Sequence, residues 1–201
     1  MTNMQIAVLR FGGRRPAPGL GALPQHDITA AADVDAAIEG VRRLVVAGAD
    51  ADLATVLTRL MRLERLDIEV AHVAGPFGGR RARSGAAQRV PLIRDDTGTV
   101  IVGSALWLPP DGAGTVHGEA VIDDEVLFDG QASGVRIEPT TAMPGLRATV
   151  LAGLGPRRWR SGRAAQLGTT GARVVRDGVP APRQVTRSTF YRHTTGWLRV
   201  G

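Results

Sequence analysis

The stretch from Arg42 to Val70, RRLVVAGADADLATVLTRLMRLERLDIEV, admits few folds. Leu44 to Ala47 is a short apolar run of the kind a sheet buries, and Gly48-Ala49-Asp50 is a tight turn. Leu53, Val56, Leu57, Leu60 and Met61 then recur at the spacing of one helical face, and Ile68 to Val73 reads as a second strand. A helix that begins directly after a strand directs unpaired N–H groups and the positive end of its dipole out of the sheet edge, where an anion settles. Asp50 and Asp52 occupy that spot. Two carboxylates repel a bare phosphate unless a divalent cation bridges them, or else they cap the helix; both readings stand.

The surrounding sequence extends this unit. Gln5 to Phe11 reads as a first strand, followed by Gly12-Gly13 and a loop rich in Arg, Pro and Gly up to Gln25. Asp27 to Ala31 reads as a weak strand, Asp33 opens a short helix, and the second helix covers residues 52–64. Alternating strands and helices predict an α/β, Rossmann-like N-terminal unit with a mostly parallel sheet over residues 1–88. Its last segment, PFGGRRARSGAAQ, reads as a linker or basic binding loop whose Arg80, Arg81 and Arg83 would neutralise phosphate.

Beyond residue 88 the helical period disappears. Val90–Ile93, Thr99–Leu108, Glu119–Leu127, Ala132–Glu138, Leu146–Leu151, Ala164–Leu167, Ala172–Arg176, Arg187–His193 and Trp197–Val200 read as strands. Turn signals such as Asp96-Thr97-Gly98, Asp129-Gly130 and Asp177-Gly178 separate them, which predicts an antiparallel β-sandwich over residues 89–201 and an α+β chain overall.

Composition removes several chemistries. The 201-residue chain has no Cys, which excludes disulfides, thiolate nucleophiles and cysteine-ligated zinc. All 25 basic residues are Arg, so no P-loop lysine or Schiff base is available. No leader pattern opens the sequence and no apolar run approaches the roughly 20 residues that span a bilayer, so a cytoplasmic location is expected. Charge is uneven: residues 1–130 hold 13 Arg against 17 Asp and Glu, a net of −4, while residues 131–201 hold 12 Arg against Glu138 and Asp177, a net of +10. A basic C-terminal third attracts phosphorylated ligands or lipid headgroups, or pairs with the acidic part of the same or a neighbouring copy, making a homo-oligomer one reading. With aromatic residues at 4%, stacking platforms for nucleic acid are scarce, which argues against such a partner.

Other constellations have plain explanations. Asp123, Asp124, Glu125 and Asp129 lack the alternating ligands of an EF-hand and fit a solvated hairpin bend. His26, His72, His117 and His193 are scattered without metal-ligand spacing, so no zinc is expected. Ser84 stands outside any Gly-x-Ser-x-Gly elbow. Arg157, Arg158, Arg160 and Arg163 around Trp159 fit either a phosphate-binding patch or a surface strand with one partly buried indole.

The turn Gly48-Ala49-Asp50-Ala51-Asp52-Leu53, in its strand-to-helix setting, resembles the Gly-Gly-Asp-Gly-Thr-Leu signature of the NAD kinase and diacylglycerol kinase superfamily. Gly48, Asp50 and Leu53 match; Ala49 and Ala51 replace glycines that let the backbone approach a nucleotide, and Asp52 replaces the threonine. A second resemblance is the late Asp-Gly-Glu hairpin, where Asp177 and Gly178 match but Val179 stands in place of the glutamate implicated as general base in the lipid kinases. Gly75-Pro76-Phe77-Gly78-Gly79 keeps only a trace of the family's Pro-Gly-Gly-Thr-Gly-Asn segment, and the loop from Gly12 to Gln25 leaves no room for a first helix.

The resemblance implies an α/β domain followed by a β-sandwich and a degenerate, shortened member. Such a protein would bind a nucleotide, a phosphorylated metabolite or a lipid headgroup without efficient phosphotransfer. ATP and Mg²⁺ are the implied cofactors, with Gly48, Asp50, Asp52, Arg80 and Arg81 as binding residues, Asp50 and Asp52 as metal ligands and Asp177 as a weak catalytic candidate. The alternatives are an active ATP-dependent kinase in which Asp50, Asp52 and Asp177 share Mg²⁺, and a charge-driven interaction or oligomeric protein.

Overall fold

A computed structural model describes residues 5–151 and 157–201. In chain order its first elements are β1 (Ile6–Phe11), β2 (Gln25–Ile28), α1 (Asp33–Ala37), β3 (Arg43–Ala47), α2 (Asp50–Arg62), β4 (Glu69–Val73), α3 (Gly79–Ser84) and β5 (Ala87–Val90). There follow β6 (Ile93–Asp95), β7 (Val100–Ile101), β8 (Ala105–Leu108), β9 (Val116–Ile122), β10 (Glu125–Ala132), β11 (Val135–Pro139) and β12 (Leu146–Val150). The chain ends with β13 (Arg160–Gly162), β14 (Ala164–Arg176), β15 (Val179–Pro180), β16 (Val185–Arg192) and β17 (Trp197–Val200). It divides into two compact units, Met1–Val90 with Thr195–Gly201, and Pro91–Thr194.

The first unit is the expected α/β body. Its sheet runs β2-β1-β3-β4-β17-β5, parallel from β2 to β17, with β5 antiparallel at the edge. Val8, Val45, Ala71 and Val200 align across four strands, and Ala17, Leu20 and Ala82 cover them. The segment after β1 thus lies on the sheet where a first helix would otherwise pack, which is how a short loop suffices there. Helix α2 buries Leu53, Val56, Leu57 and Leu60, the face its periodicity marks. Arg59 joins it to α1 by pairing with Asp35, and that hydrogen bond holds the Asp35 carboxyl below its ordinary range.

Two features of this unit differ from the sequence reading. Trp197–Val200 reads as a sandwich strand but lies between β4 and β5, where its Trp197 and Val200 are buried. A four-residue strand at the chain end carries no signal of which sheet it will join. The segment after Pro76, read as a loop, contains helix α3, because a distant side chain satisfies the helix end: the Arg43 guanidinium donates to the carbonyls of Ala82 at 3.1 Å, Arg83 at 2.7 Å and Gly85 at 2.9 Å. Its Nε donates to Glu69 at 2.7 Å, and Arg43 is only 3% exposed.

The second unit is antiparallel throughout. Strand β14 organises it: its first part pairs with β9 and β16, and after a register break between Gly168 and Ala172 its last part pairs with β8 and β15. One strand therefore joins both parts of an 11-stranded sheet, whereas the sequence reading separates Ala164–Leu167 from Ala172–Arg176. Trp107 and Phe190 lie at the centre of the core with ring centroids 6.0 Å apart, and the Trp107 indole N–H donates to Ser188 at 3.0 Å. Glu119–Leu127, expected as one strand, is a hairpin turning at Asp123 with φ of 47°. Thr99–Leu108 is broken at residues 102–104, whose N–H groups turn to the Asp177 carboxylate instead of a ladder.

Candidate functional site

The strand order β2-β1-β3-β4 contains a reversal: from β1 the chain goes to β2 on one side and returns to β3 on the other. The carboxyl ends of β1 and β3 are therefore where loops diverge and leave a crevice, the usual ligand position in an open α/β sheet. A cavity of about 320 Å³ lies there, lined by Arg14 and Arg15 after β1, Ala47 at the end of β3, and Val73, Gly75 and Pro76 at and after β4. Arg14 and Arg15 are exposed, and among the described residues neither guanidinium has an ion-pair partner. A guanidinium without a carboxylate partner at the mouth of a cavity is a fork with its donors available to an anion.

The Gly48–Asp52 turn continues from Ala47. Asp52, the third residue of α2, folds back and accepts the Ala49 N–H at 2.7 Å, so its carboxylate caps the helix. This explains Gly48: a Cβ there would lie 2.5 Å from the Asp52 carboxylate oxygen. The Gly48 carbonyl receives the His72 Nε2 proton at 3.0 Å, which ties the turn to β4. Asp50 is the open group of the pair, with a half-exposed carboxylate 3.9 Å from His72 Nδ1. Among the described residues no three His, Asp or Glu side chains converge as a metal cage.

Gly48→Ala and Asp52→Ala are each expected to cost about 1 kcal/mol of stability, since both remove the same cap. Because they share one interaction, the double variant should cost little more than either alone; additive losses in urea unfolding would mean that the glycine serves something other than the cap.

The other sequence candidates lie elsewhere. Arg80 and Arg81 sit exposed on α3 and do not line the cavity; Arg83, on the same helix, donates to the Gly19 carbonyl at 3.1 Å. Asp177, in the second unit, accepts the N–H groups of Val102 at 3.0 Å, Gly103 at 2.8 Å and Ser104 at 2.9 Å. Its carboxylate clamps a loop, and with φ of 48° followed by Gly178 at 84° the residue makes a tight hairpin turn. A carboxylate that already accepts three amides is poorly placed to accept a substrate proton. Arg160 pairs with Glu125 at 2.8 Å, and Arg147 stacks 4.3 Å over Trp159, so these parts of the basic patch are engaged in the surface of the second unit. Asp123 takes the N–H groups of Arg163 and Ala164 at 3.0 Å, so that carboxylate ties its hairpin to the start of β14.

Arg14 and Arg15 lie in residues 12–25, which read from sequence as a connecting loop. The available signal was positional: the rule that directed attention to the end of β3 applies equally to the end of β1.

No protein-family model and no curated protein matches this sequence. Solved structures do resemble it. A diacylglycerol kinase from Bacillus anthracis str. Sterne superposes with a TM-score of 0.73 at 11% identity, covering 100% of this chain and 98% of that one. The chain has the diacylglycerol kinase and NAD kinase fold. An NAD kinase from Archaeoglobus fulgidus, solved in complex with ATP, gives a TM-score of 0.65 at 11% identity over 98% of this chain and 93% of its own. Yeast NADH kinase, complexed with NADH, gives 0.57 at 10% identity over 98% and 83%. The kinase-like fold thus extends along essentially the whole chain, although the motif matches are confined to a few residues near Gly48 and Asp177.

Proposed function

We propose that the first unit binds a phosphorylated ligand, a nucleotide such as ATP, and that phosphotransfer is inefficient or lost. The observation that carries this reading is the cavity at the β1–β3 reversal with the Arg14 and Arg15 guanidinium groups at its lining. Two such cations suit a di- or triphosphate, and Ala47 leads from the cavity directly into the turn that starts α2. The fold supports the nucleotide in particular, since one of the similar structures is an NAD kinase in complex with ATP. Asp50 is the carboxylate left open to meet a magnesium ion that arrives with the phosphates; Asp52 is held by the Ala49 N–H.

The loss of transfer follows from Val179 and Asp177. A valine accepts no proton, and the nearby Asp177 carboxylate is engaged by three main-chain donors. The rival reading, an active lipid or small-molecule kinase, needs Asp50, Asp52 and Asp177 to share Mg²⁺, yet two of these three carboxylates already serve backbone amides.

Titration calorimetry with ATP and Mg²⁺, paired with an ADP-release assay over hours, tests the proposal. Saturable binding with ADP release no faster than in buffer is the expected result. Release at ordinary kinase rates, on the order of 1 per second or above, would instead establish the active enzyme. Absence of any heat with ATP would remove the nucleotide reading.

A further inference from the structure

Phe77 is 88% exposed, at the tip of the loop joining β4 to α3. A side chain of that size in full contact with water has no role in the packing of its own unit. The loop projects freely: an added Cβ at Gly75 or at Gly78 would meet nothing within 4 Å. Its base, however, is rigid. Gly79 packs so closely on the preceding segment that a Cβ would come within 2.3 Å of the Pro18 carbonyl oxygen, and Arg83 donates to the Gly19 carbonyl at 3.1 Å. Pro76 and Arg14 and Arg15 line one cavity, so the loop after β1 and the loop that bears Phe77 form one continuous surface.

The two segments that build it carry basic and no acidic side chains. Residues 11–25 contain Arg14 and Arg15 and no Asp or Glu; residues 74–90 contain Arg80, Arg81, Arg83 and Arg89 and no Asp or Glu. Arg80 and Arg81 are exposed and, among the described residues, make no ion pair. An aromatic wedge raised above unpaired cations matches a layered partner whose outer shell is anionic and whose interior is apolar, which is the cross-section of an anionic bilayer. A nucleic acid offers the negative shell, but a single phenylalanine gives it little to stack on. A protein partner would need an acidic rim around an apolar pocket shaped for this tip.

We propose that this patch docks the protein on an anionic membrane surface, with Phe77 entering the headgroup–acyl boundary and Arg80 and Arg81 meeting lipid phosphates. The attachment is peripheral: no helix among the described residues is long and apolar enough to cross a membrane. The Phe77 side chain itself stands outside the phosphate cavity, although Pro76 beside it lines that cavity. Two weak contributions, one apolar and one electrostatic, act together, so removing either should largely abolish binding at moderate salt.

Flotation of the full chain with vesicles tests this. Vesicles of two parts phosphatidylcholine to one part phosphatidylglycerol should carry the protein, and pure phosphatidylcholine vesicles should carry about tenfold less. Phe77→Asp, and separately Arg80→Glu with Arg81→Glu, should each reduce binding about tenfold or more. Because Phe77 is exposed, Phe77→Asp should melt with the wild type and leave ATP calorimetry unchanged. In Phe77→Trp the added fluorescence should be quenched by lipids brominated on their acyl chains, and soluble glycerol phosphate should not displace the protein. Equal binding to both vesicle types, wild-type binding by Phe77→Asp, or an unquenched Trp at position 77 overturns the proposal. So does a dimer in light scattering that Phe77→Asp disperses, for then a second copy of the chain covers Phe77.

Discussion

Replacing Arg43 by Met should lower the unfolding free energy by about 3–5 kcal/mol, the largest single-residue effect expected outside the aromatic core. Arg43 opens β3 directly opposite Glu69, which opens β4, and the two side chains are 4% and 13% exposed. Removing the cation leaves the Glu69 carboxylate desolvated beside apolar strands. It also orphans three carbonyls at the end of α3, the groups the guanidinium now satisfies. Met fills most of the volume, so the loss reports the polar network and not a cavity. Adding Glu69→Leu should recover part of the loss, on the order of 1–2 kcal/mol, because no unpaired charge then remains, while the α3 carbonyls stay unsatisfied. Urea midpoints for the two variants decide the matter. A single-variant loss below about 1 kcal/mol would mean that water reaches the pair as it does on an open surface.

Arg43 also shows where sequence reasoning runs out. The strand at Leu44, the tight turn, the helix after it and the strand at Val70 were legible because periodicity of 2 and of 3.6 is local information. Helix α3 was not, because its six residues, GRRARS, are too few to carry an apolar stripe. Their carbonyls are received by a side chain some forty positions earlier in the chain. The same holds for Trp197–Val200: its register against β4 and β5 is fixed by contacts that no neighbouring residue announces. In the second unit the breaks came from single polar groups. Asp177 collects the amides of residues 102–104, and Asp123 turns what reads as one strand into a hairpin. The position of the candidate site was partly legible, since the turn at Gly48 does begin at the carboxyl edge of the sheet. The density of arginines at residues 80–83 points from sequence to that segment, whereas the cavity at the β1–β3 reversal is lined by Arg14 and Arg15.

That choice of cations makes the second large prediction. Arg14→Ala together with Arg15→Ala should weaken ATP binding about 100-fold, roughly 3 kcal/mol, with each single variant giving about half of that in free energy. The expected figure sits near the lower end for two charge-assisted contacts, because both side chains are exposed in the free protein and part of their attraction is screened. Lys at either position should restore charge but not full affinity, for an ammonium cannot present two parallel donors to a phosphate. Stability should be nearly unchanged, within about 0.5 kcal/mol, because neither guanidinium holds an ion pair that folding would lose. The Arg80 and Arg81 substitutions provide the internal contrast: they belong to the surface around Phe77 and should alter vesicle binding far more than ATP affinity. If calorimetry instead shows ATP affinity falling with Arg80 and Arg81 and holding with Arg14 and Arg15, the ligand does not enter the crevice between β1 and β3. The phosphate site would then lie against the arginines of α3.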